Sequence, residues 1–288
     1  MGKEPIADWI KRVSDASQSF SQQHSLHSWL IKQSVYTHFQ RLAPLTVMPW
    51  FQTLTGSILD VGAGTGALTL DLAWQAGANG RVTAIDPDAQ ALEIARALAG
   101  CVGVGIATLP GDVTALPVDD ATQDLTTARF LFQHLPDPSA SLFQMRRVTR
   151  PGGRIVIIDV DDEVSLSESS ELQHAAGLRN AIRALQVQRG GNRLIGRQLY
   201  RLMREMGLIN IEVIVVPRVR LGLQSGRSAE AEAYQIERLR RERDALIHSG
   251  LMTAQDFEIA LSETEQGFAR DIFELEAEFI ATGVVPVP

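Results

Sequence analysis

From Ile58 onward the chain alternates short apolar runs with stretches whose apolar positions recur at helical spacing. The runs are SILDVG (57–62), RVTAID (81–86), VGIATLP (104–110), DLTTARFLF (124–132), RIVIIDV (154–160), INIEVIVVP (209–217) and IFELEAEFIATGVV (272–285). Helical patterns fill the intervals near 66–77, 88–99, 138–149 and 196–207. The alternation predicts an α/β fold, with seven strands in a mostly parallel sheet covered by helices on both faces. PGG at Pro151–Gly153 and Gly207 fall where helices should give way to strands, as helix-ending residues do.

Three segments stand outside this alternation. Residues 1–55 read as helices and carry Trp9, Phe20, Trp29, Tyr36, Phe39, Trp50 and Phe51. That aromatic density predicts an N-terminal cap over a pocket, with residues 56–288 forming the main domain. An amphipathic helix packing its rings on the main domain would carry the same residues. Residues 163–192 insert a helix with Leu172, Ala175, Leu178, Ile182 and Leu185 on one face, ended by Gly190–Gly191. Residues 228–268 insert more helix, in which RLRRERD reads as a solvated face and Thr253 with Asp256 as a capping box. Insertions at the rim of a sheet commonly shape substrate sites.

The formal net charge of −7 argues against a broad surface for phosphate backbones, so nucleic acid is not an expected partner. One cysteine, Cys101, excludes an intrachain disulfide and a multi-cysteine zinc site, and reads as a small buried apolar residue. No run has the roughly 18–20 apolar residues of a membrane span, and the first residues lack a signal-peptide core. The expectation is a cytoplasmic protein with a small-molecule substrate; a homodimer is left open.

SILDVGAGTGALTLDLA (57–73) places Gly62, Gly64 and Gly66 between an apolar run and a helix, at the point where a doubly wound, Rossmann-like sheet binds its ligand. The dinucleotide pattern is also met, through Gly62, Gly64 and Ala67. Asp86, at the end of the second run, could accept ribose hydroxyls of NAD or of S-adenosylmethionine alike. Two further acids separate these cofactors. Asp112, followed by Val113 in LPGDVTALP, is placed to take adenine amino hydrogens, a contact a dinucleotide does not need. Asp60 beside the loop suits an ammonium group and repels a pyrophosphate.

ILDVGAGTGALTLDLA, VTAIDPD, GDVTALPVDD, ARFLFQHLPDP and VTRPGGRIVIID, in this order and spacing, resemble the successive motifs of class I S-adenosylmethionine-dependent methyltransferases, most closely the small-molecule branch of ubiquinone/menaquinone-type and antibiotic-tailoring enzymes. The likeness is strong over about 56–160 and weak toward the C-terminus. It implies S-adenosyl-L-methionine as cofactor, with Gly62, Ala63, Gly64 and Gly66 near its methionine and ribose. By the same resemblance Asp86 and Pro87 lie at the ribose, Asp112 and Val113 at the adenine, and Arg129 and Phe130 behind the sulfonium. Asp86 and Asp112 could instead be caps, and Arg129 a structural ion-pair residue.

Methyl transfer from a sulfonium is an in-line displacement that needs alignment, desolvation and, for a weakly acidic acceptor, a base. His134, just after the fourth run, is the candidate base and borders the expected substrate space with Trp29 and Tyr36. His24 and His27 stand at helical spacing without an acidic partner, and Asp159, Asp161 and Asp162 read as a solvated loop rather than a magnesium site, so no metal is expected. Neither the Asn/Asp-Pro-Pro-Tyr/Phe motif of amino-directed nucleic-acid methylases nor a Pro-Cys nucleophile is present. The expected activity is methyl transfer to a small organic acceptor. The alternatives are a protein that keeps the cofactor for binding or regulation, a non-methylating cyclase-like relative, and a nicotinamide oxidoreductase, which Asp112 and the missing Tyr-x-x-x-Lys pair disfavour.

Overall fold

The computed structural model describes residues 4–24, 26–36, 38–167, 173–221, 229–268 and 273–288. Its sheet contains β1 (Gly56–Val61), β2 (Gly80–Asp86), β3 (Ala107–Pro110), β4 (Gln123–Arg129), β5 (Thr149–Val160), β6 (Leu166–Ser167), β7 (Ile209–Leu221) and β8 (Phe273–Val284). The order is β3-β2-β1-β4-β5-β8, with β7 on the far edge of β8. β6, only two residues long, pairs with Glu274 and Leu275 of β8 on the side that β5 occupies farther along. β1 to β5 run parallel, and β8 is antiparallel to its neighbours. The expected seven-stranded, mostly parallel sheet is therefore present, with β6 as a small addition.

Burial on both faces follows from the period of two along each strand. In β5, Val156 and Ile158 face one core with Ile58, Leu70 and Leu98, whereas Ile155 and Ile157 face the other with Leu59, Leu142 and Leu199. Ahead of the sheet lie α1 (Ile6–Gln23), α2 (Ser28–Tyr36), α3 (His38–Thr46) and α4 (Pro49–Gln52). The crossovers use α5 (Ala67–Ala76), α6 (Ala89–Cys101) and α7 (Pro138–Val148).

The aromatic N-terminal segment divides its rings between core and site. Trp9 and Phe51 are fully buried in the first core, and Trp9 stacks on Trp74 of α5 with centroids 5.5 Å apart. The Trp9 indole donates to Asp71 of α5 at 2.9 Å. His38 and Arg41 of α3 bond the same carboxylate, each at 2.7 Å. Burial pushes the Asp71 carboxyl up, but Arg41 and then His38 outweigh it and hold it well below the usual carboxylate range.

The two helical insertions form one layer. α8 (Gln173–Gln188), α10 (Ala229–His248) and α11 (Ala254–Phe268) share a small core of their own that includes Leu178, Leu185, Leu239, Leu246 and Phe257. Leu172 lies outside the described residues. α11 opens as its sequence suggests, with Thr253 Oγ1 accepting from the Asp256 N–H at 3.1 Å and donating to the Asp256 carboxylate at 2.7 Å. The remaining helix, α9 (Leu199–Glu205), packs against the second core.

Some boundaries differ from the apolar runs. β4 ends at Arg129 rather than 132, because Phe130 adopts φ +55° and a 3-10 turn (Phe132–His134) follows. Thr149 follows α7 directly, so the PGG residues lie inside β5, where Gly152 takes φ +76°. Cys101 is exposed, not buried: it is the last residue of α6, whose inward face is set by Ala91, Ile94, Ala95 and Leu98. No helix among the described residues is long and apolar enough to cross a membrane.

Candidate active site

Strand order reverses at β1, between β2 and β4, and the glycine loop leaves the sheet there. The Gly62 and Ala63 amides donate to the Ile85 carbonyl at 2.8 and 3.0 Å, tying the loop to β2. All three glycines have positive φ: +69°, +52° and +86°. A Cβ on Gly66 would meet the Ala95 Cβ at 2.9 Å, so packing excludes a side chain there, whereas one on Gly62 would press on the terminal methyls of Leu131 at 2.9 Å. At Gly64 the nearest atom is Leu30 Cδ1 at 4.0 Å. The open face of Gly64 is the cradle of the loop.

Three carboxylates follow the strand ends. Asp60, on β1, is buried and accepts from Thr69 Oγ1 at 2.6 Å and Thr127 Oγ1 at 2.8 Å. Burial raises its pKa to about 6 against these hydrogen bonds. Asp86, ending β2, accepts from the Gly64 amide at 2.8 Å and the Asp88 amide at 2.9 Å. Partial burial raises its pKa. The N-cap of α6 is Asp88, which accepts from Gln90 and Ala91, and Pro87 separates the two acids. Asp112 is exposed and closes a turn through Oδ1, which accepts from the Thr114 amide and hydroxyl at 2.7 and 2.6 Å. These bonds lower its pKa. Val113 beside it is buried in the second core.

A cavity of about 230 Å³ opens between the loop and the helical layer. Asp60 and residues 62–65 line one side, with Arg129, Phe130, Gln133 and His134 after β4. Trp29, Leu30 and Gln33 come from α2, Ile182, Gln186 and Arg189 from α8 and the turn after it, and Arg238, Leu239 and Glu242 from α10. Arg193 completes the lining. Asp86, Asp112 and Val113 are not among the lining residues and flank the loop along the strand ends. The Tyr36 side chain lies outside the described residues.

Charge in this cavity is unevenly answered. Arg189 pairs with Glu242 at 2.9 Å, and Arg193 pairs with Asp162 and donates to Gln133 Oε1 at 2.7 Å. Arg129 is 7% exposed, and its nearest carboxylate oxygen, Glu278 Oε1, is 3.6 Å away. The guanidinium lies over the Phe130 ring at 3.8 Å. Burial lowers the Arg129 pKa to about 10 despite Glu278.

His134 keeps solvent-facing surface at the cavity's edge, and its Nδ1 is 2.5 Å from Gln186 Nε2. The same amide nitrogen donates to the Gln133 carbonyl at 3.0 Å, so it is a donor to both acceptors. Desolvation, then the charges of Arg193 and Arg189, lower the imidazole pKa.

The remaining candidates have separate partners. His27 Nε2 meets Asp88 Oδ2 at 2.8 Å. Asp159 is buried and accepts from the amides of Gln133 and Val160, with burial raising its pKa to about 7. Asp161 pairs with Arg197 and Asp162 with Arg193. Among the described residues no group of three His, Cys, Asp or Glu is disposed to hold a metal.

Sequence reasoning missed Gln186, Arg189, Arg193, Arg238 and Glu242. Arg238 and Glu242 stand in the stretch read as a solvated face. Their spacing with Leu239 and Leu246 would have placed them beside the buried stripe of α10, but not against the glycine loop.

Residues 59–157 match the family described as a methyltransferase domain, Methyltransf_11. The ubiquinone/menaquinone biosynthesis C-methyltransferase UbiE of Burkholderia orbicola (strain MC0-3) is 30% identical over 151 residues, 52% of this chain and 60% of that protein. The chain spans little more than half the length of the first curated relatives, 54% and 60%. A putative methyltransferase from Bacillus halodurans C-125 superposes with TM-score 0.54 at 16% identity, over 86% of this chain and 100% of that one. The [4+2]-cyclase SpnF superposes with TM-score 0.51 at 20% identity, over 85% and 81%. At such identities the two structures establish the fold alone, and the matched sequence adds a likeness over residues 59–157. The chain therefore has the fold of S-adenosylmethionine-dependent methyltransferases, and its residues 59–157 are similar in sequence to a methyltransferase domain.

Proposed function

We propose that the chain transfers a methyl group from S-adenosylmethionine to a small, partly apolar organic acceptor bound beneath the helical layer. The observation that carries this reading is the open face of Gly64, set between Asp60 and Asp86. A ligand can approach the backbone there with one carboxylate at each end. The cofactor supplies an activated methyl group on a sulfonium.

The chain's own residues would do the rest. Asp60 offers a carboxylate to the cofactor's ammonium group. Asp86 keeps free lone pairs for the ribose hydroxyls, since each oxygen accepts one amide in the structure. Val113 and Asp112 border the adenine, and Arg129 and Phe130 back the reacting end. Trp29, Ile182 and Leu239 give the acceptor apolar walls that exclude water, and alignment within those walls is the main contribution to rate. His134 points a donor at the acceptor: with Nδ1 occupied by Gln186, its neutral ring carries the proton on Nε2.

Calorimetry tests the cofactor. S-adenosylhomocysteine should bind and NAD should not, and Asp86→Ala should cost about 1–3 kcal/mol of affinity, the worth of hydrogen bonds to a charged group. Tight NAD binding with no response to S-adenosylhomocysteine overturns the reading. The occupied lone pair of His134 also supports a second reading, in which the cofactor is retained and no methyl moves, and a cyclase shares the fold. Detection of a methylated acceptor by mass spectrometry excludes it.

A further inference from the structure

The cavity holds one more buried cation than its carboxylates satisfy. Nε and Nη2 of Arg129 are buried without a hydrogen-bond partner. Glu278 Oε1, 3.6 Å from Nη2, also lies 3.1 Å from Arg218 Nη1, so one carboxylate stands between two guanidiniums. Asp60 accepts from two threonine hydroxyls and makes no ion pair with Arg129 within 4 Å. Arg238 enters the same cavity from α10 and has no ion pair among the described residues. By contrast, Arg189 and Arg193 are paired.

A buried guanidinium whose nitrogens lack hydrogen bonds is costly in a dry site, and a fixed one beside a bound sulfonium adds repulsion. A ligand anion removes both costs. Stacking on Phe130 already fixes the Arg129 fork, which matches carboxylate and phosphate oxygens. Trp29, Ile182 and Leu239 supply apolar surface around it.

We propose that Arg129 and Arg238 together receive a carboxylate or phosphate group of the methyl acceptor, which makes the acceptor an organic acid with an apolar body. The proposal rests on the methyltransferase reading above. The cofactor's own carboxylate is the other source of such an anion. Arg238 argues for the acceptor, because it belongs to the helical layer that walls the substrate space and not to the glycine loop.

The test uses the full chain loaded with S-adenosylhomocysteine, with benzoate and inorganic phosphate as probes in calorimetry. At least one probe should bind saturably, and Arg129→Gln should weaken it at least tenfold when both proteins are saturated with S-adenosylhomocysteine. A cooperative thermal melt shows that the variant is folded. Arg238→Gln, at an exposed position of α10, keeps the fold and should weaken the same probe severalfold. The proposal is overturned if neither probe binds the loaded wild type, or if Arg238→Gln leaves the probe affinity unchanged. It is also overturned if Arg129→Gln weakens S-adenosylhomocysteine but not 5′-methylthioadenosine, which lacks the amino-acid end, for the anion is then the cofactor's. Failure of the wild type to bind S-adenosylhomocysteine at all overturns the underlying reading, and this proposal with it.

Discussion

Gln186 of α8 donates its side-chain amide to Nδ1 of His134 across 2.5 Å, joining the helical layer to the turn after β4. The lone pair that a general base would use is thereby engaged. His134→Ala should lower turnover by less than the roughly 10²-fold minimum of general-base catalysis and leave the acid limb of the pH–rate profile in place. A loss of about 10²–10⁴-fold together with the disappearance of that limb would make His134 the base after all. Gln186→Ala, which frees Nδ1, should then change turnover as well.

In the proposed function, Asp60 gives cofactor binding a pH dependence. Its folded pKa of about 6 lies above the ordinary 3.8, so the unliganded protein binds a proton there that the unfolded chain has already released. Stability from this group is therefore lost as pH rises from about 4 through 6. Affinity for an ammonium-bearing ligand runs the other way and should fall as pH drops through about 6. Asp60→Asn should flatten that part of the S-adenosylhomocysteine titration. 5′-Methylthioadenosine, lacking the ammonium, serves as the control, and an unchanged titration in the variant would remove Asp60 from the ligand.

The glycines should separate stability from binding. Gly66→Ala forces a Cβ against Ala95 at a φ of +86°, and its melting temperature should fall by the equivalent of about 1–3 kcal/mol. Gly64→Ala meets open space, so it bears only the cost of its φ of +52° and should lose cofactor affinity out of proportion to stability. Equal effects on both quantities at both sites would show the loop to be merely a turn.

Asp71→Asn leaves Arg41 buried beside a neutral amide. Removing one partner of such a pair costs about 3–5 kcal/mol, readable in chemical denaturation. Because its native pKa is lowered, Asp71 contributes stability that is present above the ordinary carboxylate range and lost as pH falls below it. The variant should accordingly lose the wild type's steep acid unfolding at low pH.

The strands, their order of burial and the loop were legible because each depends on local pattern: period two in Val156–Ile158 against Ile155–Ile157, and glycine at each positive-φ position of the loop. The end of β4 was not, since Phe130 continues an apolar run and its φ of +55° is imposed by the tertiary setting. Asp86 and Asp88 look alike in sequence, and only the amides they accept tell the ribose candidate from the helix cap. The substrate side was least legible. Arg189, Arg193 and Arg238 stand 4 to 49 positions apart, and packing of α8 against α10 and α11 is what brings them to one cavity.

β7 and β8 run for 13 and 12 residues, and their pairing continues to Leu221 opposite Phe273, well past the end of β5. The stretch that carries α10 and α11 thus departs and returns at directly opposed residues of a single ladder. Such a junction is a natural splice point. Another length of chain could join Leu221 to Phe273 with the β5–β8 and β7–β8 pairing kept, and in the proposed function that would change the acceptor while the methyl donor stays the same. In a lineage of such proteins, chemistry and choice of substrate can evolve as separable parts.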